Sequence, residues 1–525
     1  MTQRGLVRTL GAIVATAVAF AFYTRVEPRW FALGWVALVP WLLALDHTTT
    51  WRGTLASGMA MSIAFALGVF SWFAGAMSDY VSVPLWLMYV VLVVGAPLFQ
   101  PQLVVFALVR HAARRRGVGA ARRALAGACA YVATEWVLPR LFGDTIGQGF
   151  FASPLLRQAA DVAGAPGLTF VLVVANECVH EAVTRRRRRE SVLAPATAVA
   201  LLLVALGVYG AVRLRQLASA DTLPPLRVAI VQGDVVHYDR LAAEIGKYEA
   251  VRRILDTHFE LSATAVQDDS VDLVVWPETV YPTTFGTPKS PEGAAFDREI
   301  GAFVVRSRRP LVFGSYDGES GHEYNAAVFL EPTDDGAVTF DTYRKTSLFP
   351  LTERVPAWLD GPALRRWLPW LGTWTPGKGA AVVSLALPRG RSIRVAPLIC
   401  YDAVEARNAA GAVRGGAELI VALSNDSWLG AGAHLHFVVS ALRSVETRRP
   451  QVRATTTGIS AVITPTGELT AIAEVHVQAV LVGSVTPLRG EMPLAVRWGD
   501  WLGPTALVLG ALLLATRPVH ARTAM

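Results

Sequence analysis

The strongest constraint on this chain is the series of long apolar stretches that fills its first 215 residues. A helix crosses a bilayer core with about 20 apolar residues. Stretches close to that length recur at Leu6–Tyr23, Phe31–Leu45, Leu55–Met77, Val83–Val109, Ala124–Leu138, Leu168–Ala182 and Leu193–Val212, with an eighth near Trp501–Thr516. Only 17% of the residues are charged, against about 25% in ordinary soluble domains, so a soluble globule is excluded. Disorder is excluded as well, because a solvated coil has no use for 15 tryptophans. Phe31–Leu45 and Leu168–Ala182 are short enough to be half-buried or re-entrant, which leaves seven to nine spans open.

Lys and Arg in short loops mark the cytoplasmic side of a membrane. Arg4 and Arg8 lie at the start of the first span and Arg52 follows the second. Arg110, Arg114–Arg116, Arg122 and Arg123 surround the connection from the fourth span to the fifth, and Arg185–Arg189 follows the sixth. In an eight-span arrangement all of these share one side, so both termini face the cytoplasm and the segment between spans seven and eight lies outside. Arg185–Arg189 sits between two apolar spans and reads as a topology anchor rather than a nucleic-acid patch, so no nucleic-acid partner is expected. The first span is read as a retained helix, being long for a cleaved signal peptide. Glu135 and Glu177 fall near predicted helix ends and read as interface or interhelical hydrogen-bonding residues.

The pattern changes across 221–495, where short β-rich runs alternate with amphipathic stretches, the signature of α/β layering. Expected strands are Arg227–Gln232, Val271–Trp276, Pro310–Tyr316, Asn325–Glu331, Ala381–Ala386, Ile393–Leu398, Glu418–Leu423, Ile459–Thr464 and Val480–Val485. Expected helices are Leu241–Thr264, Ala295–Arg306, Ala403–Arg414 and Ala433–Arg448. The domain organisation is therefore 1–215 for the membrane helices, 221–495 for the α/β domain and 501–516 for a closing helix. Cys129, Cys178 and Cys400 are too few and too scattered for a disulfide framework or a structural metal, so no metal site is expected.

Three strand ends carry reactive side chains. Val274–Val275–Trp276–Pro277–Glu278 ends in a carboxylate, Tyr343–Arg344–Lys345 in an ammonium, and Pro397–Leu398–Ile399–Cys400 in a thiol. A lone Cys after an apolar strand is usually a small buried hydrophobe, and a lone Lys or Glu is usually solvated. Together, a thiol nucleophile, a carboxylate to take its proton and a cation for an oxyanion make a complete acyl-transfer set.

This set, in the order Glu278, Lys345, Cys400, resembles the Glu–Lys–Cys triad of the nitrilase superfamily. Val231–Gln232–Gly233–Asp234, Trp276–Pro277–Glu278, Ser424–Asn425–Asp426–Ser427–Trp428–Leu429–Gly430 with His436 after it, and Thr457–Gly458–Ile459–Ser460–Ala461 resemble the branch fused to membrane helices, the apolipoprotein N-acyltransferases. Two departures stand out. Pro350–Leu351–Thr352–Glu353 replaces the common P-F-G-E, and Cys400–Tyr401–Asp402 replaces C-Y-E.

The resemblance implies an αββα sandwich outside a bacterial inner membrane, carried by about eight helices. It implies a phospholipid that gives its acyl chain to Cys400 as a thioester, and the α-amino group of a diacylglyceryl-cysteine apolipoprotein that receives it, with no cofactor needed because an ester is already an activated acyl donor. Glu278 would be the general base and Lys345 an oxyanion partner with a backbone N–H near Tyr401. Glu353 would orient Lys345 or the amine, with Tyr401, Asp402, Asn425 and Trp428 in supporting places.

Trp358, Trp367, Trp370 and Trp374 cluster between Lys345 and Cys400, and Trp favours membrane interfaces. This segment reads as a lipid-access arm or, alternatively, a core hairpin. Two other function classes stay open: a tethered hydrolase of C–N bonds, and a transporter or binding protein. The first does not need eight spans, and the second would bring charged pairs or broken helices to mid-membrane, which the sequence does not clearly display.

Overall fold

A computed structural model describes residues 3–515 apart from Pro139, Phe142, Asp144, Asp221, Val236, His237 and Glu491. Asp221 and Thr516, used above as segment limits, lie outside the described residues. The chain divides into two compact units, one built from 1–216 and 498–525 and the other from 217–497.

The first unit is helical. Its elements are α1 (Gln3–Tyr23), a 3-10 segment Pro28–Trp35 leading into α2 (Val39–Leu45), α3 (Trp51–Val69), α4 (Ser71–Val81), α5 (Leu85–Phe99), α6 (Pro101–Arg115), α7 (Ala120–Val137), α8 (Ala160–Arg187), α9 (Leu193–Ala218) and a closing helix Leu502–Ala515. Five segments among the described residues are long and apolar enough to cross a membrane, or six if the bent α5–α6 pair is one span. Leu193, Leu201, Val204 and Val208 stand exposed on α9. Apolar side chains facing outward along a 26-residue helix require lipid around them.

Two expected spans are interrupted, and a further helix breaks ahead of its expected span. The stretch Leu55–Met77 divides at Phe70 into α3 and α4. Val83–Val109 bends by 46° between α5 and α6, where Pro101 has no N–H to continue the ladder. Helix α8 breaks at Ala163 and Gly164, the latter at φ +66, just before Pro166.

The sequence also did not show a buried charge cluster that the fold assembles. Arg110 Nε donates to Glu177 at 2.7 Å and its Nη1 to Asp46 at 2.7 Å, while His180 Nε2 lies 2.8 Å from Asp46. Glu177 is thus an ion-pair partner rather than merely a hydrogen-bonding one. Arg110 stands near the basic C-terminal end of α6, beside Arg114, which donates to the carbonyls of Leu45 and Asp46. Buried charges are tolerated when paired in this way, and here they tie α2, α6 and α8.

The second unit is a sandwich of two six-stranded sheets. Strands β1 (Leu226–Gln232), β2 (Leu273–Val275), β3 (Leu311–Glu319), β4 (His322–Pro332) and β5 (Val338–Arg344) form one sheet. Strands β6 (Val383–Leu387), β7 (Arg391–Ile399), β8 (Leu419–Ser424), β9 (Gln451–Thr455), β10 (Ser460–Ile463) and β11 (Leu469–Ala473) form the other, and β12 (Ala479–Val485) returns to pair with β1. The centres are parallel, β1–β2–β3 and β7–β8–β9, with antiparallel strands outside them.

Period-two alternation builds the layers. Val228 and Ile230 of β1 join Leu273, Val275, Val395, Leu419 and Val421 in the core between the sheets. Their neighbours Ala229 and Val231 face the other way, onto Ile254 and Leu255 of α10 (Lys247–Ala265) and Ile300 of α11 (Pro291–Ser307). Ala396, Leu398 and Ile420 pack on Ala409 and Val413 beyond the second sheet. The result is the αββα order expected from the resemblance.

Candidate active site

In open α/β sheets reactive groups gather beyond the carboxyl ends of the strands, and this unit follows that rule. Glu278 lies three residues past β2, Lys345 follows β5 directly and Cys400 follows β7 directly. Glu278 can turn there because Gly314 of β3 has no side chain: a Cβ on Gly314 would sit 2.5 Å from Glu278 Cα. Thr279 (φ +62) and Cys400 (φ +47) both hold left-handed backbone, which costs a non-glycine residue about 1–3 kcal/mol and is tolerated chiefly at functional turns.

Lys345 is only 1% exposed and lies between two carboxylates, with Nζ 3.1 Å from Glu278 Oε1 and 2.7 Å from Glu353 Oε1. Burial alone would lower its pKa, but the adjacent carboxylates outweigh burial and raise it well above the ordinary lysine value, so it is an ammonium. Glu278 also accepts from Asn325 Nδ2 at 2.8 Å and, on its second oxygen, from the Asn425 N–H at 2.7 Å. Glu353 accepts the Phe349 N–H at 2.7 Å on the oxygen that Lys345 does not use.

Cys400 is buried, and burial first, then the charge of Glu278, push its thiol pKa upward while Lys345 pulls it down. The upward causes win, so the resting group is a thiol, and nucleophilic attack requires a base to take its proton. The three groups singled out in the sequence therefore share one electrostatic cluster.

The supporting residues divide into two kinds. Trp428 packs edge-on against Phe349, which packs edge-on against Tyr401, each pair with ring centroids 5.2 Å apart. Asn425 presents its N–H to Glu278, and its side-chain oxygen accepts from Thr456 at 2.9 Å. Asp402 is a brace: it accepts from Thr346 N at 3.1 Å, Ser347 N at 2.7 Å, Ile399 N at 3.1 Å and Tyr343 Oη at 2.9 Å. Burial, opposed by these donors and by Lys345, lifts its pKa to about 6. The shorter side chain at this position thus ties the segment after Lys345 to the turn carrying Cys400.

Sequence reading missed Asn325 and Phe349. Asn325 was a polar residue opening the apolar run Asn325–Leu330, a signal the α/β pattern offered. Nothing marked Phe349. In the tryptophan segment, Trp358 and Trp367 are 85% and 86% exposed, while Trp370 is half-buried and Trp374 lies 4.7 Å from the ring of Tyr316. Trp367 closes a short helix, Pro362–Trp367, that buries none of its residues.

A two-sheet sandwich with carboxylate, ammonium and thiol at its strand ends, in one chain with a membrane-spanning helical unit, defines a membrane-bound protein of the nitrilase superfamily. Residues 227–488 match the carbon-nitrogen hydrolase family and residues 14–178 match the apolipoprotein N-acyltransferase N-terminal domain. An apolipoprotein N-acyltransferase of Gloeobacter violaceus is 30% identical, covering 97% of this chain and 94% of its own length. Another, from Chlorobaculum tepidum, is 27% identical over 94% of each chain. The chain belongs to the apolipoprotein N-acyltransferase family.

Proposed function

We propose that this protein transfers an acyl chain from a phospholipid, through a thioester on Cys400, to the amino group of the diacylglyceryl-cysteine of an apolipoprotein. The observation that supports it most is the buried cluster of Glu278, Lys345 and Cys400. As Cys400 Sγ attacks the ester carbonyl, Glu278 takes the thiol proton. Lys345 and the backbone N–H of Tyr401 stabilise the oxyanion. Collapse expels the lysophospholipid, which leaves with the proton from Glu278. The acceptor amine then attacks the thioester, its proton passes by way of Glu278 to the departing sulfur, and the thiol is restored. Asn325 and the Asn425 N–H hold Glu278 in place through both steps.

The same reading places the helical unit in a bacterial inner membrane, with the basic loops Arg114–Arg116 and Arg185–Arg189 inside and the sandwich outside. The exposed Trp358 and Trp367 form the lipid-access arm, because two large apolar rings left uncovered in one segment call for an apolar partner. The test is acyl transfer to a diacylglyceryl peptide in phospholipid vesicles. Cys400→Ala abolishes it, whereas Cys129→Ala and Cys178→Ala retain it. Transfer by Cys400→Ala at the wild-type rate overturns the assignment.

A further inference from the structure

Behind Cys400 lies a second charged cluster that the chemistry above does not use. Asp426, two residues past β8, is buried and accepts from Ser424 Oγ at 2.6 Å and from Arg453 Nη2 of β9 at 2.8 Å, and it lies 2.9 Å from His436 Nδ1. His436 stands in the first turn of the helix Ala433–Thr447, and its Nε2 reaches the carbonyl oxygen of Cys400 at 3.3 Å.

The fold makes room for this cluster at visible cost. Gly458 lies so close that a Cβ there would sit 2.3 Å from Asp426 Oδ2. Arg453 is wholly buried, yet its Nε and Nη1 have no hydrogen-bond partner among the described residues. Buried ion pairs seldom stabilise a fold more than apolar residues of the same volume, so stability does not account for the arrangement.

The proton placement follows from the partners. Burial would raise the pKa of Asp426, but Arg453 and His436 outweigh it and hold the carboxyl well below the usual range, so it is ionised and only accepts. A carbonyl oxygen also only accepts. The His436 nitrogen facing it, Nε2 at 3.3 Å, is therefore the donor that grips the peptide between Cys400 and Tyr401, while Nδ1 lies 2.9 Å from Asp426 Oδ1 and 3.2 Å from Arg453 Nη2, which fix the ring. That peptide is a rigid plane: its carbonyl is what His436 holds, and its N–H is the Tyr401 donor assigned above to the oxyanion.

We propose that His436, anchored by Asp426 and Arg453, is a positioning residue that fixes the Cys400–Tyr401 peptide plane and so aims the oxyanion-stabilising N–H. A donor on the carbonyl also polarises the peptide, strengthening the N–H at its other end. Cys400 benefits from this hold because its φ of +47 lies in the left-handed region, a conformation that costs a non-glycine residue energy and persists only where its surroundings fix it. The proposal rests on the reading of Cys400 as the acylated nucleophile.

The test compares two reactions of Cys400 in the full-length protein, in vesicles of phosphatidylethanolamine and phosphatidylglycerol. Acylation by the phospholipid, read by intact mass, passes through an oxyanion. Alkylation by iodoacetamide uses the same thiol and does not. His436→Phe keeps the ring volume and removes the donors, while His436→Gln returns an N–H to the position of Nε2. Loss of an oxyanion donor costs about 10²–10³ in rate, so a donor merely left unaimed is expected to cost about 10- to 100-fold in acylation by His436→Phe. Alkylation should stay near wild type, His436→Gln should recover most of the acylation, and Asp426→Asn should behave like His436→Phe.

Equal acylation losses in His436→Phe and His436→Gln, parallel losses of acylation and alkylation, or wild-type acylation in His436→Phe would each overturn the proposal alone. If His436→Phe does not fold, His436→Gln and Asp426→Asn decide by the same ratio of the two rates. No acyl adduct on wild-type Cys400, with alkylation intact, would remove the nucleophile reading and this proposal with it.

Discussion

Replacing Glu353 by Gln separates the two tasks of the Lys345 cluster. Both Glu353 oxygens are occupied at 2.7 Å, one by Lys345 Nζ and the other by the Phe349 N–H. Gln has a single acceptor oxygen, so its NH2 must face one of these two groups, each of which only donates. The loss is one charge-assisted hydrogen bond, worth about 1.5–3 kcal/mol, and one buried donor left without an acceptor, about 1–3 kcal/mol. Removing one member of a fully buried pair costs about 3–5 kcal/mol. Because Glu353 keeps some solvent contact and Lys345 retains Glu278, about 3 kcal/mol is the appropriate figure. For a domain of this size that lowers the Tm by about 6–12 °C. The reactivity of Cys400 should move the other way, because the Glu353 charge raises the thiol pKa and its removal lowers it. Melting in detergent, iodoacetamide alkylation against pH, and acyl-adduct formation are measured on one preparation. The expected result is a lower Tm, an alkylation profile shifted to lower pH, and acylation slowed by about 10²-fold or more, since Lys345 is no longer held for the oxyanion. A Tm within about 2 °C of wild type together with undiminished acylation would refute the reasoning.

Three further outcomes are expected. His258 donates from Nδ1 to the Ile254 carbonyl and its pKa is lowered by burial to about 4, below the ordinary 6.5. Its contribution is therefore full above about pH 6.5 and is lost as pH falls towards 4, about 3 kcal/mol in all; His258→Gln should flatten that acid limb of the melting profile, and an unchanged limb would reject the assignment. Gly314→Ala should destabilise the sandwich by about 1–3 kcal/mol and abolish acylation, because the new Cβ meets the backbone of Glu278 and Thr279; an active, equally stable variant would contradict the placement of Glu278. Trp358→Ala with Trp367→Ala should leave the melt within about 0.5 kcal/mol of wild type, as exposed positions do, while reducing transfer from vesicle phospholipid more than from a short soluble ester; equal losses with a lower melt would favour a core role.

The main lines of this structure were legible because the strongest signals were local. Glu278 and Cys400 each end or follow an apolar run, so the sequence itself put them at strand ends, whereas Lys345 follows a strand that no apolar run marks. The layers of the sandwich were legible too, since strands buried on both faces read as continuous apolar segments. What escaped reading depends on partners far along the chain. Strand β5 is a mostly exposed edge strand without an apolar face, and β9 buries Gln451 and Arg453 in a segment for which no strand was expected. The expected helix Leu241–Thr264 divides at Gly246, whose φ of +88 is outside helical space. The pairing of Arg110 with Glu177 spans 67 positions and the contact of His436 with the Cys400 carbonyl spans 36, separations at which no periodicity carries information.

The central claim is that one thiol first takes and then gives the acyl chain. The most direct measurement is intact mass of the purified full-length protein, first after incubation with phospholipid and then after addition of a diacylglyceryl-cysteine peptide. The account predicts an added mass of one acyl group on Cys400, absent in Cys400→Ala. On addition of the peptide that mass should disappear, and the peptide should gain the same acyl group as an amide. An adduct on another residue, or an adduct that decays to free fatty acid at the same rate with and without the peptide, would contradict it.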